Sequence, residues 1–212
     1  PAMAALGRLY QKDGRFDELA ELYRIEADQA EDVRQKVNKL YKMAEIYEVQ
    51  LGKADEAVAA YKKVLELQTS YLPALKALGR IFGRLGRYPD LIEMYERELS
   101  ITEDKAQAVF LLDKIGWTHE EKLGDLENAI KAYRRILSIV PNHLPAIRTL
   151  AKMYAAAKRW NDLLDISELE IDLTKDQKQI VSLLHKVGEI FEENLGDRAK
   201  AVERYQKVLA LS

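Results

Sequence analysis

The chain has 212 residues, and 48% of them are apolar, which is enough to fill a hydrophobic core. Its 33 basic and 35 acidic residues leave a formal net charge of −2, without the basic excess that a nucleic-acid binder usually needs for phosphate contacts. The lack of cysteine excludes disulfides, zinc–thiolate sites and thiol catalysis, and apolar runs such as residues 108–112 are far shorter than a membrane span of roughly 18 residues.

A repeat of 72 residues runs through the whole chain without insertion or deletion. Pro-Ala pairs open it at residues 1, 73 and 145, and Leu-Gly pairs recur at residues 51, 123 and 195. The aromatic residues Phe16, Tyr88 and Trp160 share one column of the repeat. Since chance does not keep such a phase over the full length, we predict three double repeats, 1–72, 73–144 and 145–212.

The first double repeat predicts four helices in chain order. Leu6, Leu9 and Tyr10 form one helical stripe, which Gly14 ends. The stripes that follow lie within residues 16–23, 40–47 and 57–65, with apolar spacings of three and four that are typical of helices rather than strands. Three copies predict about twelve helices, and Thr174 is predicted to cap the start of one of them in a capping box.

The second hairpin of each double repeat resembles the tetratricopeptide repeat. In the first copy Ala44, Tyr47 and Gly52 are followed by Ala57 and Tyr61 at the family's spacing, and the same columns recur twice. These even hairpins carry one extra residue before their glycine. The odd hairpins depart further, with leucine at 19, 91 and 163 and glutamate at 26, 98 and 170 in place of small residues. The resemblance implies an all-α, right-handed superhelical solenoid of about twelve antiparallel helices, forming a single array over residues 1–212.

The resemblance also implies a partner-binding groove. In tetratricopeptide arrays the first helix of each hairpin lines the concave side, and the candidate groove residues here are Arg8, Tyr41, Lys76, Arg80, Arg84, Trp117, Arg148, Lys152 and His185. Basic odd hairpins alternate with mixed-to-acidic even hairpins. These charges either pair between adjacent helices or select a partner peptide or helix of complementary charge. Trp117, which stands where Glu45 and Glu189 occupy the equivalent places, either binds the partner or covers its neighbours.

The sequence predicts no catalytic, cofactor or metal site, and therefore a non-catalytic scaffold. The three histidines are far apart in sequence, there is no phosphate-binding loop, and paired glutamates recur on regular helical faces. His119 replaces aromatic residues in its column and is expected to pack. The family's clamp for acidic chaperone tails needs asparagines beside first-helix lysines, which are lacking at Arg8, Arg80 and Lys152, so chaperone-tail binding is not predicted.

Two alternatives stay open. Pro1 has the same phase as Pro73, and Ser212 stops four residues short of completing the third unit. This suggests a piece of a longer array, with an architectural role in which the chain spaces domains or self-associates through uncapped apolar ends. The other alternative is an RNA-binding solenoid, which the net charge of −2 disfavours. With no signal-peptide pattern, the chain is expected to be soluble and cytoplasmic.

Overall fold

The computed structural model describes residues 2–211, so Pro1 and Ser212, on which the phase at the two ends depends, lie outside the described residues. Contacts divide the chain into two compact units, Pro1–Glu103 and Asp104–Ser212. Residues 2–211 form twelve α-helices and no strand, which confirms the predicted all-α helical solenoid. None of these helices has the length and apolar content needed to cross a membrane. The single array predicted for residues 1–212 stays a prediction.

Each unit contains three helical hairpins. The helices of the first unit are α1 (Ala2–Lys12), α2 (Phe16–Gln29), α3 (Val33–Glu45), α4 (Ala54–Leu67), α5 (Leu72–Arg84) and α6 (Tyr88–Ser100). Those of the second unit are α7 (Lys105–Trp117), α8 (Leu126–Ile139), α9 (Leu144–Ala156), α10 (Trp160–Leu173), α11 (Gln177–Glu189) and α12 (Arg198–Leu211). Within each unit, consecutive helices pack against each other because a lone hairpin cannot bury its apolar stripe.

The first helix of each even hairpin continues into a π-helical turn. These turns are Ile46–Gln50 after α3, Thr118–Lys122 after α7 and Ile190–Asn194 after α11. In the first of them, the N–H of Leu51 donates to the carbonyl of Ile46, five residues back, at 3.0 Å. The extra residue that these hairpins carry is therefore accommodated as a wider turn of the helix.

The odd hairpins turn through one left-handed residue. Gly14 and Gly86 have φ values of 69° and 68°, and Lys158 stands in the same column with a φ of 55°. Lys158 is the one non-glycine residue with positive φ among residues 2–211. A side chain in this conformation costs about 1 kcal/mol or more, because Cβ crowds the following carbonyl oxygen.

The start of α11 differs from the sequence prediction. Its cap is Asp176, whose carboxylate accepts the N–H of Lys178 at 2.8 Å. Thr174 instead ends α10, and its hydroxyl donates to the carbonyl of Glu170 at 2.7 Å. The predicted capping box is therefore wrong, because the carboxylate of Asp176, two residues after Thr174, accepts the free N–H groups at the start of α11.

Candidate partner-binding face

The first helices of successive hairpins lie near enough for long side chains to join them. In the first unit Arg84 of α5 reaches Glu48, in the π turn after α3, at 3.0 Å. In the second unit Arg148 of α9 reaches Gln179 of α11 at 3.4 Å. We call the surfaces formed by α1, α3 and α5, and by α7, α9 and α11, the first-helix faces of the two units.

Glu48 organises the charges of the first-helix face in the first unit. Its side chain is only 5% exposed and accepts hydrogen bonds from the Tyr61 hydroxyl at 2.9 Å and from Arg84 at 3.0 Å. Arg80 approaches the same carboxylate at 3.5 Å. Burial, followed by the hydrogen bond to Glu48, raises the pKa of Tyr61. The two predicted groove arginines thus pair within the chain, as one of the two sequence alternatives proposed.

Tyr41 belongs to an aromatic cluster beside these pairs. Its ring centroid lies 5.5 Å from that of Tyr61 and 5.5 Å from that of Tyr71, in tilted and edge-on arrangements that aromatic rings favour. Burial, together with the charge of Glu45, raises the pKa of Tyr41 to about 12. Tyr41 is therefore held by packing, with only part of its side chain exposed.

The glutamates that replace small residues in the odd hairpins lie opposite cations of first helices. Glu26 accepts a hydrogen bond from Lys39 of α3 at 2.7 Å. Glu170 is buried and accepts one from Nε of Arg148 at 2.8 Å. Charge-assisted bonds of this length are stronger than neutral ones and offset part of the desolvation of the carboxylate. The predicted groove residue Arg148 therefore has an internal partner.

Glu98 holds the same column in the middle double repeat, but its pairing is weaker. The residue is 5% exposed, and burial raises the pKa of its carboxyl, while the charge of Lys76 opposes that rise in part. Lys152 acts similarly on Glu120, whose pKa burial and the neighbouring Glu121 raise. Lys76 and Lys152 thus interact electrostatically with carboxylates of their own unit.

Arg8 and His185 are the predicted groove residues nearest to the two ends of the sequence, and both are exposed. Arg8 lies on α1 and is exposed. His185 lies on α11, with Nδ1 3.4 Å from Glu189 and its ring centroid 5.5 Å from that of Tyr205. Most of the predicted basic groove side chains therefore face carboxylates of this chain rather than an unpaired surface.

Trp117 is exposed, and the structure adds a second aromatic residue, Phe110, which the sequence analysis did not single out. Both lie on α7, with 45% of Trp117 and 52% of Phe110 exposed. The amino group of Lys114 lies 5.4 Å from the Phe110 ring centroid, and that of Lys122 lies 5.0 Å from the Trp117 ring centroid. We call these four residues the α7 aromatic face.

Phe110 had a detectable signal in the sequence. Asn38 and Ser182 occupy its place in the other double repeats, as Glu45 and Glu189 occupy that of Trp117. The same column comparison that distinguished Trp117 therefore finds Phe110 as well. Two aromatic residues thus replace polar ones on one face of one helix.

The described residues include no group of three or more histidine and acidic side chains placed to hold a metal ion. His119 is largely buried in the π turn after α7, with Nδ1 3.5 Å from the carboxylate of Asp125. The expectation that His119 packs is in accord with this position.

Sequence models of the tetratricopeptide repeat match most of the chain. One matches residues 2–37 and 74–109, a second matches 40–71, and a third matches 104–143 and 183–211. The matched segments include hairpins of both the odd and the even type.

Two curated proteins of Arabidopsis thaliana are similar to parts of the chain. A pentatricopeptide repeat-containing protein is 30% identical over 89 residues, which are 40% of this chain and 14% of that protein. The protein CTR9 homolog is 31% identical over 99 residues, which are 47% of this chain and 9% of that protein. The chain therefore spans a small part of the length of the curated relatives it matches.

Among solved structures, that of YrrB, described as a TPR protein with an unusual peptide-binding site, is 18% identical to this chain. The match covers 82% of this chain and 85% of YrrB, with a TM-score of 0.45. At this identity the likeness concerns the fold alone.

Proposed function

Because the chain belongs to the tetratricopeptide repeat family, we propose that it is a non-catalytic scaffold that holds a peptide or helix of another protein on a first-helix face. The observation that carries the proposal is Trp117, a large aromatic side chain that is 45% exposed on α7. An exposed tryptophan that desolvates on binding is a common source of interface energy.

The ion pairs within the chain support a proposal based on an aromatic contact, because they already occupy several of the predicted basic groove residues. Arg80, Arg84 and Arg148 have carboxylate partners within the chain, so a ligand that used them would first compete with existing ion pairs. The carboxylates of Glu48 and Glu170 are buried, so drawing the arginines away would leave buried charges unpaired, which costs free energy. Affinity is therefore expected to depend on aromatic contact more than on the basic stripe. The net charge of −2 gives no support to an RNA ligand.

The test is capture of a partner from a lysate of the source organism. The full chain is compared with Trp117→Gln, the neutral analogue of the glutamate found at equivalent positions, and with Trp117→Phe as a matched control. We expect a protein retained by the full chain and by Trp117→Phe to be lost with Trp117→Gln, at unchanged helical circular dichroism. Equal retention by Trp117→Gln would contradict the proposal.

A second candidate function, self-association as an architectural element, rests on exposed apolar side chains of α12. Val202 and Leu209 are 53% and 76% exposed, whereas their column equivalents Val58 and Leu65 are buried. The helix α4 has the helix that follows, α5, packed against it. The outer face of α12 therefore offers the same kind of stacking surface without a helix on it among the described residues.

The face of α1 has the complementary pattern. Leu6 and Leu9 are exposed, whereas Leu78 and Ile81, which hold the same columns on α5, are fully buried. A second copy that places α1 on α12 would repeat the packing of α5 on α4. Light scattering should then show a mass that rises with concentration and falls with Leu209→Lys. A constant monomeric mass over the accessible concentration range would exclude this candidate.

A further inference from the structure

We propose that the first-helix face of the first unit binds an acidic segment of another protein, one that carries an aliphatic side chain among its carboxylates. This inference rests on the proposed scaffold function and names the chemistry of a ligand for this unit. The charges of the first helices indicate the sign of the ligand, and a cleft between α1 and α3 indicates its apolar side chain.

Basic residues are concentrated on the first helices of the first unit. The helices α1, α3 and α5, with the π turn after α3, contain nine lysines and arginines but only two acids, Glu45 and Glu48. The second helices of this unit contain four basic and twelve acidic residues. In the second unit, the first helices and their π turns contain seven basic and six acidic residues. The positive excess therefore belongs to one face of one unit, although the net charge of the chain is −2.

The acids near this face do not neutralise it. Arg80 and Arg84 share the single carboxylate of Glu48, while their side chains stay 60% and 62% exposed. Arg8 and Lys42 are exposed, and no carboxylate of residues 2–211 lies within 4.0 Å of their charged groups. Three further acids lie in the loops that flank the first helices: Asp13, Glu31 and Asp32. Counting these three together with the two on the helices still leaves four of the nine basic residues in excess.

A cleft of about 440 Å³ lies between α1, α2 and the end of α3. Phe16, Leu19 and Val49 contribute apolar side chains to its lining, and Lys42 and Glu45 line it as well. Val49 is 68% exposed. An aliphatic side chain of a ligand that covers Val49 removes apolar surface from water, which favours binding.

Val49 is peculiar to this copy of the repeat. Glu121 and Glu193 hold the same column in the other even hairpins, and both are exposed there. The fold therefore tolerates a glutamate at this place and does not require an apolar side chain. In the first unit the column lacks that negative charge and places an exposed valine in the same cleft as Lys42.

A polypeptide fits this surface better than RNA does. Single-stranded RNA uses phosphate contacts together with bases that stack on accessible aromatic rings. Within residues 2–103 every aromatic side chain is at least partly buried, and the exposed large apolar side chains are all aliphatic. Tyr41 on this face packs against Tyr61 and Tyr71. Carboxylates with an aliphatic side chain between them match both the cations and Val49.

The experiment measures binding of fluorescein-labelled probes to the full chain by fluorescence anisotropy. The first probe is a synthetic peptide of aspartates and glutamates around a central leucine. The second replaces the acids with lysines, the third replaces the leucine with serine, and the fourth is a uridine oligonucleotide of the same net charge as the first. We expect the first peptide to bind about tenfold more tightly than each other probe. Its affinity should fall as the salt concentration rises, because salt screens ionic contacts.

Variants assign that binding to the first unit. Arg8→Glu with Lys42→Glu should weaken binding of the first peptide about tenfold and favour the lysine peptide. Val49→Glu, which introduces the residue of the other copies, should weaken it about fivefold, because it adds a negative charge and removes the apolar contact. Lys186→Glu, in the column of Lys42 on α11 of the second unit, is the matched control and should leave the affinity within about twofold. Circular dichroism confirms that each variant keeps its helices.

Three results would overturn the inference. The first is that the acidic peptide binds no better than the lysine or serine peptide, or that either first-unit variant leaves its binding unchanged. The second is tighter binding of the oligonucleotide, which would make the ligand a nucleic acid. The third is a dimer in light scattering that Arg8→Glu with Lys42→Glu dissociates, which would place a second copy of the chain on this face.

These outcomes are separate from those of the proposed function. If the acidic peptide fails to bind while lysate capture still depends on Trp117, the scaffold proposal stands with a ligand of another kind. If the peptide fails to bind and capture does not depend on Trp117, both proposals fail.

Discussion

The carboxylate of Glu98 lies on α6 in a residue that is 5% exposed, and no side-chain hydrogen bond reaches it among the described residues. Burial raises the pKa of this carboxyl, and the nearby charge of Lys76 opposes that rise in part. Glu98→Gln keeps the shape of the side chain and removes the charge. We therefore expect the free energy of unfolding at pH 7–8 to increase by about 1 kcal/mol, because burial disfavours the charged carboxylate that the substitution removes.

The pH dependence has a definite sign. A carboxyl whose pKa is higher in the folded state than in the unfolded state binds its proton more tightly when folded. Its contribution to stability is therefore present at low pH and is lost as the pH rises through the folded pKa. The difference between Glu98→Gln and the parent should be largest near neutral pH. It should shrink as the pH falls through the folded pKa and be smallest below about pH 4.3, where the carboxyl is protonated in both states.

Glu170→Gln is the matched control in the same column. Glu170 accepts a hydrogen bond from Nε of Arg148 at 2.8 Å, so the variant loses a charge-assisted bond. We expect its free energy of unfolding at neutral pH to fall by about 1 kcal/mol, since Arg148 can be solvated after the change. The two substitutions are chemically identical and should move stability in opposite directions.

Urea unfolding followed by circular dichroism between pH 4 and pH 8 measures both effects. In a chain of this length 1 kcal/mol corresponds to a Tm change of about 2–4 °C. Because repeat arrays unfold in parts, hydrogen exchange in α6 and α10 assigns each change to its own hairpin. A loss of stability with Glu98→Gln at pH 7, or a gain that does not vary with pH, would refute the reasoning.

Two further predictions concern the backbone. Lys158→Gly should raise the free energy of unfolding by about 0.5–1 kcal/mol by relieving its left-handed conformation, and Gly86→Lys should lower it by a similar amount in thermal melts. Gly116→Ala should destabilise by about 1 kcal/mol, because its Cβ would lie 2.6 Å from the Tyr133 ring. Gly79→Ala, whose Cβ would meet its nearest side-chain atom at 3.7 Å, should instead stabilise by about 0.5–1 kcal/mol, and the opposite order would contradict both estimates.

Several features of the fold were predictable because their causes are local. Apolar spacings of three and four set the helices, and a fixed period of 72 residues set their order. Gly14 and Gly86 mark the turns of two odd hairpins, because glycine adopts the left-handed conformation of these turns without the strain that a side chain would cause. These signals identified the twelve helices and the repeat family.

In the sequence, the wider π turns are visible only as one extra residue before the glycine of each even hairpin. Nothing in residues 46–50 distinguishes a hydrogen bond to the fifth preceding carbonyl from one to the fourth. The structure adopts the wider turn, and Glu48 within it joins Tyr61 to Arg84. An insertion is visible in an alignment of repeats, but packing against the neighbouring helix decides how it is absorbed.

For the site, the sequence identified which residues can face a partner, and the tertiary structure decided which of them have internal partners. Column comparison alone distinguishes Trp117, and applied once more it also finds Phe110. The ion pair between Glu48 and Arg84 joins residues 36 positions apart on different hairpins. Such a pair depends on distances between helices that no local pattern encodes, so the sequence left both alternatives open until the helices were placed.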